Sequence, residues 1–424
     1  MKFTRVGALG VIAIVAFSAC SSTPQAGGGK TLKIGTELPM SGAETANGEP
    51  TANGVKLAIK QSNAKNEIAG YTLDINVQDD AVNGAHDPQQ GATNMHTLVA
   101  DASVVGVVGP FNSSVAQSEI PISNAGGLAQ CSPANTNTGL TYPPDSLKYR
   151  PNKPDAVNYI RLAAPDSIQG PAGADYTYND LKAKNVYILD DTETFGVGVG
   201  NSFEEQFKKD GGTVAKRDSA PKSTTDYTPL FTAVASKKPD AVYLAGTTPT
   251  GMGLALKQGR TVAGFESIPF VGPDGIADLG PGGTTGATIT VAGAAAKEVH
   301  GTVAGIHDLP SGSTFVADYT KEYNKAPGAY SAAGYACTQV FIAGIKAAIA
   351  AGKTDNAAIR EAVRANNIAA GNKFDTVVGS ISFDKNGDIT TPFMSFYKTD
   401  LTAEGGKGGW VYVKQQAFTD PNAG

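Results

Sequence analysis

Residues 104–136 decide the fold, and they read VVGVVGPFNSSVAQSEIPISNAGGLAQCSPANT. The run Val104–Val108 is apolar without alternation, which predicts a strand covered on both faces of its sheet. A helix is predicted from about Ser113, and a second apolar strand from residue 128 to Cys131. This strand–helix–strand order predicts two parallel strands joined by a crossover helix.

The same alternation continues on both sides of this stretch. Strands are predicted at residues 31–35 and 71–77, and the alternation restarts after Asp166 with strands at 186–189 and 241–245. A chain of 424 residues is also longer than one hydrophobic core usually supports. The predicted fold class is therefore α/β, with two similar doubly wound parallel-sheet lobes joined by three crossover segments.

The composition is typical of a folded protein without affinity for nucleic acid. Hydrophobic residues make up 41% of the chain and charged residues 17%, and the formal net charge is −5. A basic stripe is missing, so no nucleic-acid partner is expected. Beyond the first twenty residues, no segment reads as long and apolar enough to cross a membrane.

The first twenty residues predict export and lipid anchoring. Lys2 and Arg5 precede the apolar run 6–16, which is too short for a membrane span. The run ends in FSAC, residues 17–20, which resembles a bacterial lipobox that is cut before a lipidated cysteine. We therefore expect Cys20 to carry a lipid anchor that contains palmitate. The alternative is an ordinary signal peptide with an incidental cysteine.

The predicted domain organisation follows from these patterns. Residues 1–19 form the signal peptide, and residues 20–30 form the lipidated cysteine with a flexible Ser/Pro/Gly tether. The N-terminal lobe comprises residues 31–165 plus 308–388. The C-terminal lobe comprises residues 166–307 plus 389–415, and residues 416–424 are a loose tail.

Two further cysteines, Cys131 and Cys337, leave two alternatives. An exported protein is able to pair them in a disulfide. Sequence alone does not show that their Cα atoms lie within bonding range. Two buried free thiols are slightly preferred.

Metal sites are not indicated by the sequence. None of the four histidines has the paired spacing of a zinc helix, and solvated or loop positions are predicted for His86 and His300. Residues 384–388 hint at a calcium loop, but the glycine comes too early and no acid closes the loop. No metal and no cofactor are therefore expected.

Catalytic signatures are sparse as well. No serine lies in a nucleophile-elbow pattern. Asp190, Asp191 and Glu193 form an acidic cluster after a strand, which is interpreted as a solvated turn. Without a coupled nucleophile and base, the chain is not predicted to be an enzyme.

Polar residues follow two neighbouring predicted strands at their carboxyl ends. Ser113 opens a helix, whose first amides lack internal partners and lie at the positive end of the helix dipole. A carboxylate placed there gains several donors, and Thr136 is expected to face the same crevice. The alternative is that Ser113 and Ser114 only cap the helix.

Several short motifs, taken in chain order, point to one family. They are Ile34-Gly35, Pro39-Met40-Ser41-Gly42, Asp79-Asp80, Val107-Val108-Gly109-Pro110, Ser132-Pro133-Ala134, Gln169-Gly170-Pro171, Phe195-Gly196, Gly272-Pro273-Asp274-Gly275 and Phe383-Asp384-Lys385-Asn386-Gly387-Asp388. Over residues 32–413 the chain resembles the leucine/isoleucine/valine-binding proteins, type I periplasmic binding proteins that serve ABC importers. The resemblance implies crossings between the lobes near Asp166, His307 and Ile389.

The resemblance also implies a set of ligand-binding residues. The family's grip on the ligand carboxylate falls on Ser113, Ala134 and Thr136. Its aromatic ring beside the ligand ammonium falls on Phe195, where a cation–π contact is expected. The acid that pairs with the ammonium falls on Asp274, one methylene shorter than the usual glutamate.

The implied side-chain pocket departs from the family pattern. Family tyrosines are replaced by Asn47, Thr247 and Thr248, whereas Tyr330 keeps an aromatic ring. These changes put an aliphatic ligand in doubt. A more polar amino acid, an amide or a urea-like solute fits the pocket as well.

The function implied is that of a substrate-binding lipoprotein of an ABC importer. It captures an amino acid or related small polar solute outside the cytoplasm, anchored to the cell membrane by its lipid. Its expected partners are the permease and ATPase subunits, and it is expected to be a monomer. The alternatives are a ligand sensor of the same fold and a binder of amide or urea-like solutes.

Overall fold

The computed structural model describes Met1 and residues 30–420, so the predicted signal peptide and Cys20 lie outside the described residues. The strands are β1 Lys30–Leu38, β2 Tyr71–Asp79, β3 Ala81–Val82, β4 Ala85–His86, β5 Val104–Val108, β6 Gln130–Ser132, β7 Tyr159–Arg161, β8 Asn185–Asp190, β9 Thr213–Ser219, β10 Ala241–Ala245, β11 Phe270–Gly272, β12 Val299–Val303, β13 Phe374–Thr376, β14 Gly379–Ile381, β15 Phe393–Asp400 and β16 Gly409–Ala417.

The helices alternate with these strands along most of the chain. They are α1 Thr45–Ala64, α2 Pro88–Ala100, α3 Ser113–Gly126, α4 Asp166–Asp175, α5 Thr194–Lys209, α6 Thr228–Ala235, α7 Gly253–Gly259, α8 Thr288–Ala292, α9 Phe315–Tyr323, α10 Ser331–Ala350, α11 Asn356–Asn367 and the short turn α12 Ala403–Gly406.

The first sheet has five parallel strands in the order β2-β1-β5-β6-β7. All five residues of β5 are buried, as their unbroken apolar run predicts for a strand with helices on both faces. Helices α10 and α11 pack on this sheet, with Phe341 and Val363 in its core. We call this sheet, with α1 to α3 and α9 to α11, the first lobe.

The second sheet has seven strands in the order β16-β15-β12-β11-β10-β8-β9. Strands β8 to β12 are parallel, whereas β15 and β16 are antiparallel neighbours at one edge. We call this sheet, with α4 to α8, the second lobe. The lobes are thus similar in their parallel centres and differ at this edge.

The chain crosses between the sheets three times. It passes from β7 to α4 beside Asp166, from β12 to α9 beside His307, and from Ile389 to β15. Ile389 still belongs to the core of the first lobe, so the third crossing follows it directly. The predicted α/β fold class, with two doubly wound lobes and three crossovers, is confirmed.

Helix α10 differs from the expectation that no later segment is apolar enough to cross a membrane. Among the described residues, it is the one helix whose length and composition pass that test. Its side chains Phe341 and Ile345 are fully buried in the first lobe. The apolar character therefore serves the core of the lobe.

The preference for free thiols is wrong, because Cys131 and Cys337 form a disulfide with Cα atoms 5.7 Å apart. Cys131 lies on β6 and Cys337 on α10, which packs across the first sheet. The pairing was hidden in the sequence because 206 residues, including most of the second lobe, separate the two cysteines.

The end of the chain is more firmly held than predicted. Strand β16 runs to Ala417, so residues 416 and 417, assigned to the tail, belong to the strand. Beyond it, the Tyr142 hydroxyl donates to the Asp420 carboxylate at 2.6 Å. The C-terminal segment of the second lobe therefore reaches back to a loop of the first.

Candidate ligand-binding cleft

The first lobe supplies the start of α3 to the cleft. Gly109 follows β5 with a φ of +137°, and a Cβ there would lie 2.0 Å from the Glu37 carbonyl oxygen. Only glycine fits this turn, which directs residues 110–112 toward the second lobe. Helix α3 then begins at Ser113, with its first amides pointing out of the sheet edge.

The loop after β6 is tied to this helix start. The Ser132 hydroxyl donates to the Pro110 carbonyl at 2.7 Å and accepts from the Asn135 amide at 2.9 Å. The Asn137 amide lies 3.4 Å from the Ser113 hydroxyl oxygen, to which it donates. The two loops predicted to face one crevice therefore lie side by side.

A small cavity separates this face from the second lobe. Its volume is about 20 Å³, room for about one water molecule, so the lobes meet closely here. Its lining comprises Phe111, Asn112, Ser113, Ala134, Thr136, Phe195, Thr247, Asp274 and Gly275. Six of the eight residues predicted to bind the ligand are in this set, whereas Thr248, which also replaces a family tyrosine, is not.

The other two predicted residues lie elsewhere. Tyr330 stands just before α10 and reaches the cleft by donating its hydroxyl to Asp274. Asn47 lies in the first turn of α1, and its side chain is not among the described residues that line this cavity.

Asp274 is the acidic group at the centre of the second face. It follows β11, at the carboxyl end of a parallel strand. Its two carboxylate oxygens accept from Tyr330 and, at 2.9 Å, from the Gln169 amide. Burial raises the pKa of Asp274 to about 7, although the Tyr330 hydroxyl and the backbone amides of Asp274 and Gly275 oppose the shift. The carboxyl is therefore poised to change charge near neutral pH.

Tyr330 connects the lobes through this contact. Its ring packs edge-to-face on Phe111, with 5.5 Å between the ring centres. Burial next to Asp274 raises the pKa of the Tyr330 phenol well above its usual value, so the hydroxyl stays a donor. A first-lobe side chain thus holds the second-lobe carboxylate in place.

Asp190 and Asp191 are buried, so the prediction of a solvated turn is wrong for these two acids, whereas Glu193 is half-buried. The Asp191 carboxylate accepts from the Thr247 amide at 3.2 Å and from the Thr250 hydroxyl at 2.5 Å. Asp190 pairs with Arg217 at 3.0 Å. Asp191 therefore fixes the loop that carries Thr247, because burial of an acid requires nearby donors.

Asp166 is a cleft residue that sequence reasoning treated only as a crossover position. It begins α4, and its side chain is 2% exposed. Within residues 30–420, neither of its oxygens meets a donor in good hydrogen-bond geometry. Burial raises its pKa to about 8, and the negative charge of Asp274 adds to the shift. The Asp-x-x-Gln spacing on one helix face, Asp166 with Gln169, was the available signal.

His86 and His300 are buried rather than solvated, which corrects the prediction for these two histidines. His86 pairs with the buried Glu44 at 2.8 Å, and the ring of His300 contacts the Tyr176 hydroxyl at 3.0 Å. Burial of a polar ring is tolerated because each ring has such a partner.

The loop at residues 384–388 is held by hydrogen bonds within the loop. Asp384 accepts from the backbone amides of Asn386, Gly387 and Asp388 at 2.9 Å each. The Asp388 carboxylate pairs with Arg161. Among the described residues, no group of three or more His, Cys, Asp or Glu side chains is arranged to hold a metal ion.

Comparisons with known proteins match this architecture. The sequence pattern of the periplasmic binding protein family matches residues 31–407. The chain belongs to this family. Proteins of this family bind solutes for transport, and the family is not a family of enzymes.

Curated relatives of this periplasmic binding protein cover most of its length. The Leu/Ile/Val-binding protein BraC3 of Rhizobium johnstonii is 28% identical over 375 residues, 87% of this chain and 91% of the relative. The Leu/Ile/Val-binding protein of Escherichia coli K12 is 27% identical over 359 residues, 84% of this chain and 88% of the relative.

Solved structures share the fold at lower identity. The branched-chain amino acid binding protein LivJ of Streptococcus pneumoniae, in complex with isoleucine, has a TM-score of 0.72 at 22% identity, covering 92% of this chain and 100% of that chain. A solute binding protein of R. palustris, in complex with 4-hydroxybenzoate, also has a TM-score of 0.72, at 16% identity, covering 92% and 98%. One fold thus accommodates chemically different solutes.

Proposed function

We propose that this protein is the extracytoplasmic substrate-binding component of an ABC importer and captures an amino acid or a related small polar solute between its lobes. The proposal rests on one observation: a group that attracts an anion and a group that attracts a cation line the same cavity from the two lobes. The start of α3 with Ser113 lies on one side, and the Asp274 carboxylate lies on the other. Helix amides favour an anion, and a buried carboxylate favours a cation.

An amino acid satisfies both faces at once. Its carboxylate fits the first amides of α3, and its ammonium fits Asp274, with the Phe195 ring in the same lining. A ligand that contacts both lobes favours the closed arrangement by its differential affinity. The relatives are named as Leu/Ile/Val-binding proteins, which supports an amino acid as the solute.

A second candidate solute is a small amide or urea. Thr247 stands in the lining where the family resemblance implies a tyrosine, and the cavity is small. A neutral amide also donates hydrogens to Asp274 and accepts from Ser113. The side-chain departures favour a small or polar ligand over a large aliphatic one.

Calorimetric titration tests the solute class. The purified protein is titrated with each of the twenty amino acids, with urea and acetamide, and with 4-hydroxybenzoate as an anionic control. We expect saturable binding of at least one amino acid. Binding of urea or acetamide alone would favour the second candidate, and binding of 4-hydroxybenzoate alone would contradict both.

Closure of the lobes is expected on binding. The cavity of about 20 Å³ is far smaller than an amino acid, so the lobes must part for entry and close again around the solute. X-ray scattering in a titration with the bound amino acid should show a decrease in the radius of gyration. An unchanged profile at saturation would argue against a closing binder.

The proposed partners are the permease and ATPase subunits, which would recognise the closed form of a monomeric binding protein. A sensory role would instead deliver the same closed form to a receptor. Neighbouring permease and ATPase genes support transport, whereas a neighbouring receptor gene supports sensing. In neither role is the solute chemically changed.

Membrane anchoring through Cys20 is part of the proposal. The cysteine ends an apolar signal and precedes a Ser/Pro/Gly tether. Detergent-phase partitioning of the native protein and Cys20→Ala is the measurement. The native protein should enter the detergent phase, and the variant should be released or left unprocessed. Equal partitioning after correct cleavage would contradict lipidation.

A further inference from the structure

The cleft contains a second buried carboxyl, Asp166, close to Asp274. Asp166 and Gln169 lie one turn apart on α4, and Gln169 donates to Asp274 at 2.9 Å. The backbone amide of Asp166 donates to the Thr136 carbonyl at 2.7 Å. The backbone of Asp166 is therefore hydrogen-bonded to the backbone of Thr136, which lines the cavity. Gln169, one turn further along the same helix, is hydrogen-bonded to the Asp274 side chain.

Burial raises the pKa of Asp166, and in the described part of the chain only two groups oppose the shift: the nearby Thr136 hydroxyl, which is not in good hydrogen-bond geometry, and Arg161. Arg161 is the cation that acts on Asp166, but that guanidinium is paired with Asp388 and also donates to the Asn137 carbonyl at 2.7 Å. Gly198 of α5 faces Asp166 with no side chain, and a Cβ there would lie 3.3 Å from the carboxylate. The second lobe thus covers Asp166 without supplying a donor from that position.

Two phenols complete the set of titratable groups near the pair. Tyr330 donates to Asp274, and Tyr243 lies close enough for both acids to raise the pKa of its phenol. Within residues 30–420, the Tyr243 hydroxyl also has no hydrogen-bond partner. Both phenols stay neutral, so the negative charge of the site resides on the two carboxyls.

We propose that Asp166 and Asp274 act as a pair that exchanges a bound proton for the cationic end of the ligand, with Asp166 acting through Thr136. This inference rests on the proposed function, because it assigns the ligand an ammonium group. Asp274 lines the cavity and contacts the cation directly. Asp166 lies behind Thr136 and is a positioning residue, since its charge orients the Thr136 hydroxyl with its oxygen toward the ligand.

The exchange balances without covalent change in the ligand. With the cleft free of cation, two nearby buried carboxylates repel each other, so one of them keeps a proton near neutral pH. When an ammonium binds Asp274, its positive charge lowers the proton affinity of both carboxyls, so the retained proton is released. The proton passes to water before the lobes close. Affinity therefore rises with pH through the range in which the pair loses its proton.

The test is a proton inventory at pH 7. The protein is titrated with the amino acid that binds in the panel described above, in phosphate and in Tris, whose ionisation enthalpies differ. We expect release of roughly half a proton or more per ligand bound. Asp166→Asn should reduce this release and flatten the rise in affinity between pH 6 and pH 8.

Two variants separate positioning from general damage. Asp175→Asn is the matched control, because Asp175 ends the same helix and its pKa is also raised, to about 6, by burial and by Asp210. It should keep the proton release of the native protein. In a Thr136→Val background, adding Asp166→Asn should have little further effect on affinity. If Asp166→Asn does not fold, Thr136→Val alone should already reduce the release.

The outcomes distinguish this inference from the function it rests on. If none of the twenty amino acids binds, both the proposed function and the pair are overturned. If an amino acid binds without proton release, or if Asp166→Asn folds and releases protons like the native protein, the exchange is wrong and the proposed function stands.

Discussion

The protein buries carboxyl groups in two regions that use them in different ways. Glu37, Asp80 and Glu119 lie inside the first lobe, fully buried. Asp166 and Asp274 lie between the lobes. In both regions burial raises the pKa of the acids, and neighbouring acids add to the shift. The difference is access, because Asp274 lines the cavity between the lobes, where a ligand cation is able to enter.

The interior group of acids is held in part by side-chain amides. The Asn94 amide donates to Glu37 at 3.0 Å, and the Gln130 amide donates to Glu119 at 2.8 Å. Asp80 and Glu119 lie close to Glu37, and burial together with the neighbouring negative charges raises the pKa of both carboxyls well above the usual value. The interior acids are thus neutralised by bound protons alone. The acids of the cleft are neutralised either by a bound proton or by the cationic end of the ligand.

The largest expected effect concerns the cleft. Asp274→Ala should weaken binding of the amino acid by roughly 3–5 kcal/mol, because a desolvated ammonium loses its carboxylate partner. Calorimetric titration measures the loss, and Asp175→Ala, on the far end of α4, is the control. Binding of native strength by Asp274→Ala would mean that the ligand has no cation there, which removes the proposed difference between the two regions.

The next largest expected effect is on the free energy of unfolding, through the buried acids of the first lobe. The folded-state pKa values of Asp80 and Glu119 lie above those of the unfolded chain, so the folded protein holds more protons. Stability is then full below pH 4 to 5 and falls as pH rises, by about 1.4 kcal/mol per pH unit for each retained proton. Asp80→Asn should make this fall shallower in urea unfolding between pH 5 and pH 8.

The control for the interior is Asp74→Asn, which changes an exposed acid on β2, the strand that ends one residue before Asp80. It should keep the native dependence of unfolding free energy on pH. Equal slopes for the native protein and Asp80→Asn would show that Asp80 carries no retained proton.

The smallest expected effect is on ligand binding at the start of α3, the face of the cleft that has no charged side chain. Ser113→Ala should cost roughly 0.5–1.5 kcal/mol of binding free energy, because one hydroxyl is lost while the first amides of α3 remain. The same titration measures it. A larger loss for Ser113→Ala than for Asp274→Ala would reverse the assignment of the charged end.

The sequence predicted the elements whose signals are local. The unbroken apolar run of β5 and the polar residues after it placed Ser113 and Thr136 at one sheet edge, because parallel strands end together. The resemblance to a family added Phe195, Thr247 and Asp274, which line the same cavity. Each of these depends on a short motif.

The features that sequence missed depend on distant segments. Asp166 became a cleft residue only because α4 crosses to the second lobe and brings Gln169 to Asp274. Asp191 looked solvated because Thr247, which needs its carboxylate, follows 56 residues later. Asn47, inferred from the family pattern, does not line the cavity of this structure, because the first turn of α1 lies outside it.

The disulfide between β6 and α10 bears on how the chain is exported. Cys131 leaves the membrane 206 residues before Cys337, so an oxidant acting on the emerging chain meets Cys131 without its partner. The bond forms only after most of the second lobe has passed through. It then closes the chain into a loop that holds α4 and β11, and a protease cut anywhere in that loop leaves both fragments covalently joined. The link therefore forms only when the parallel strands of both lobes have emerged, while β15 and β16 are still to follow.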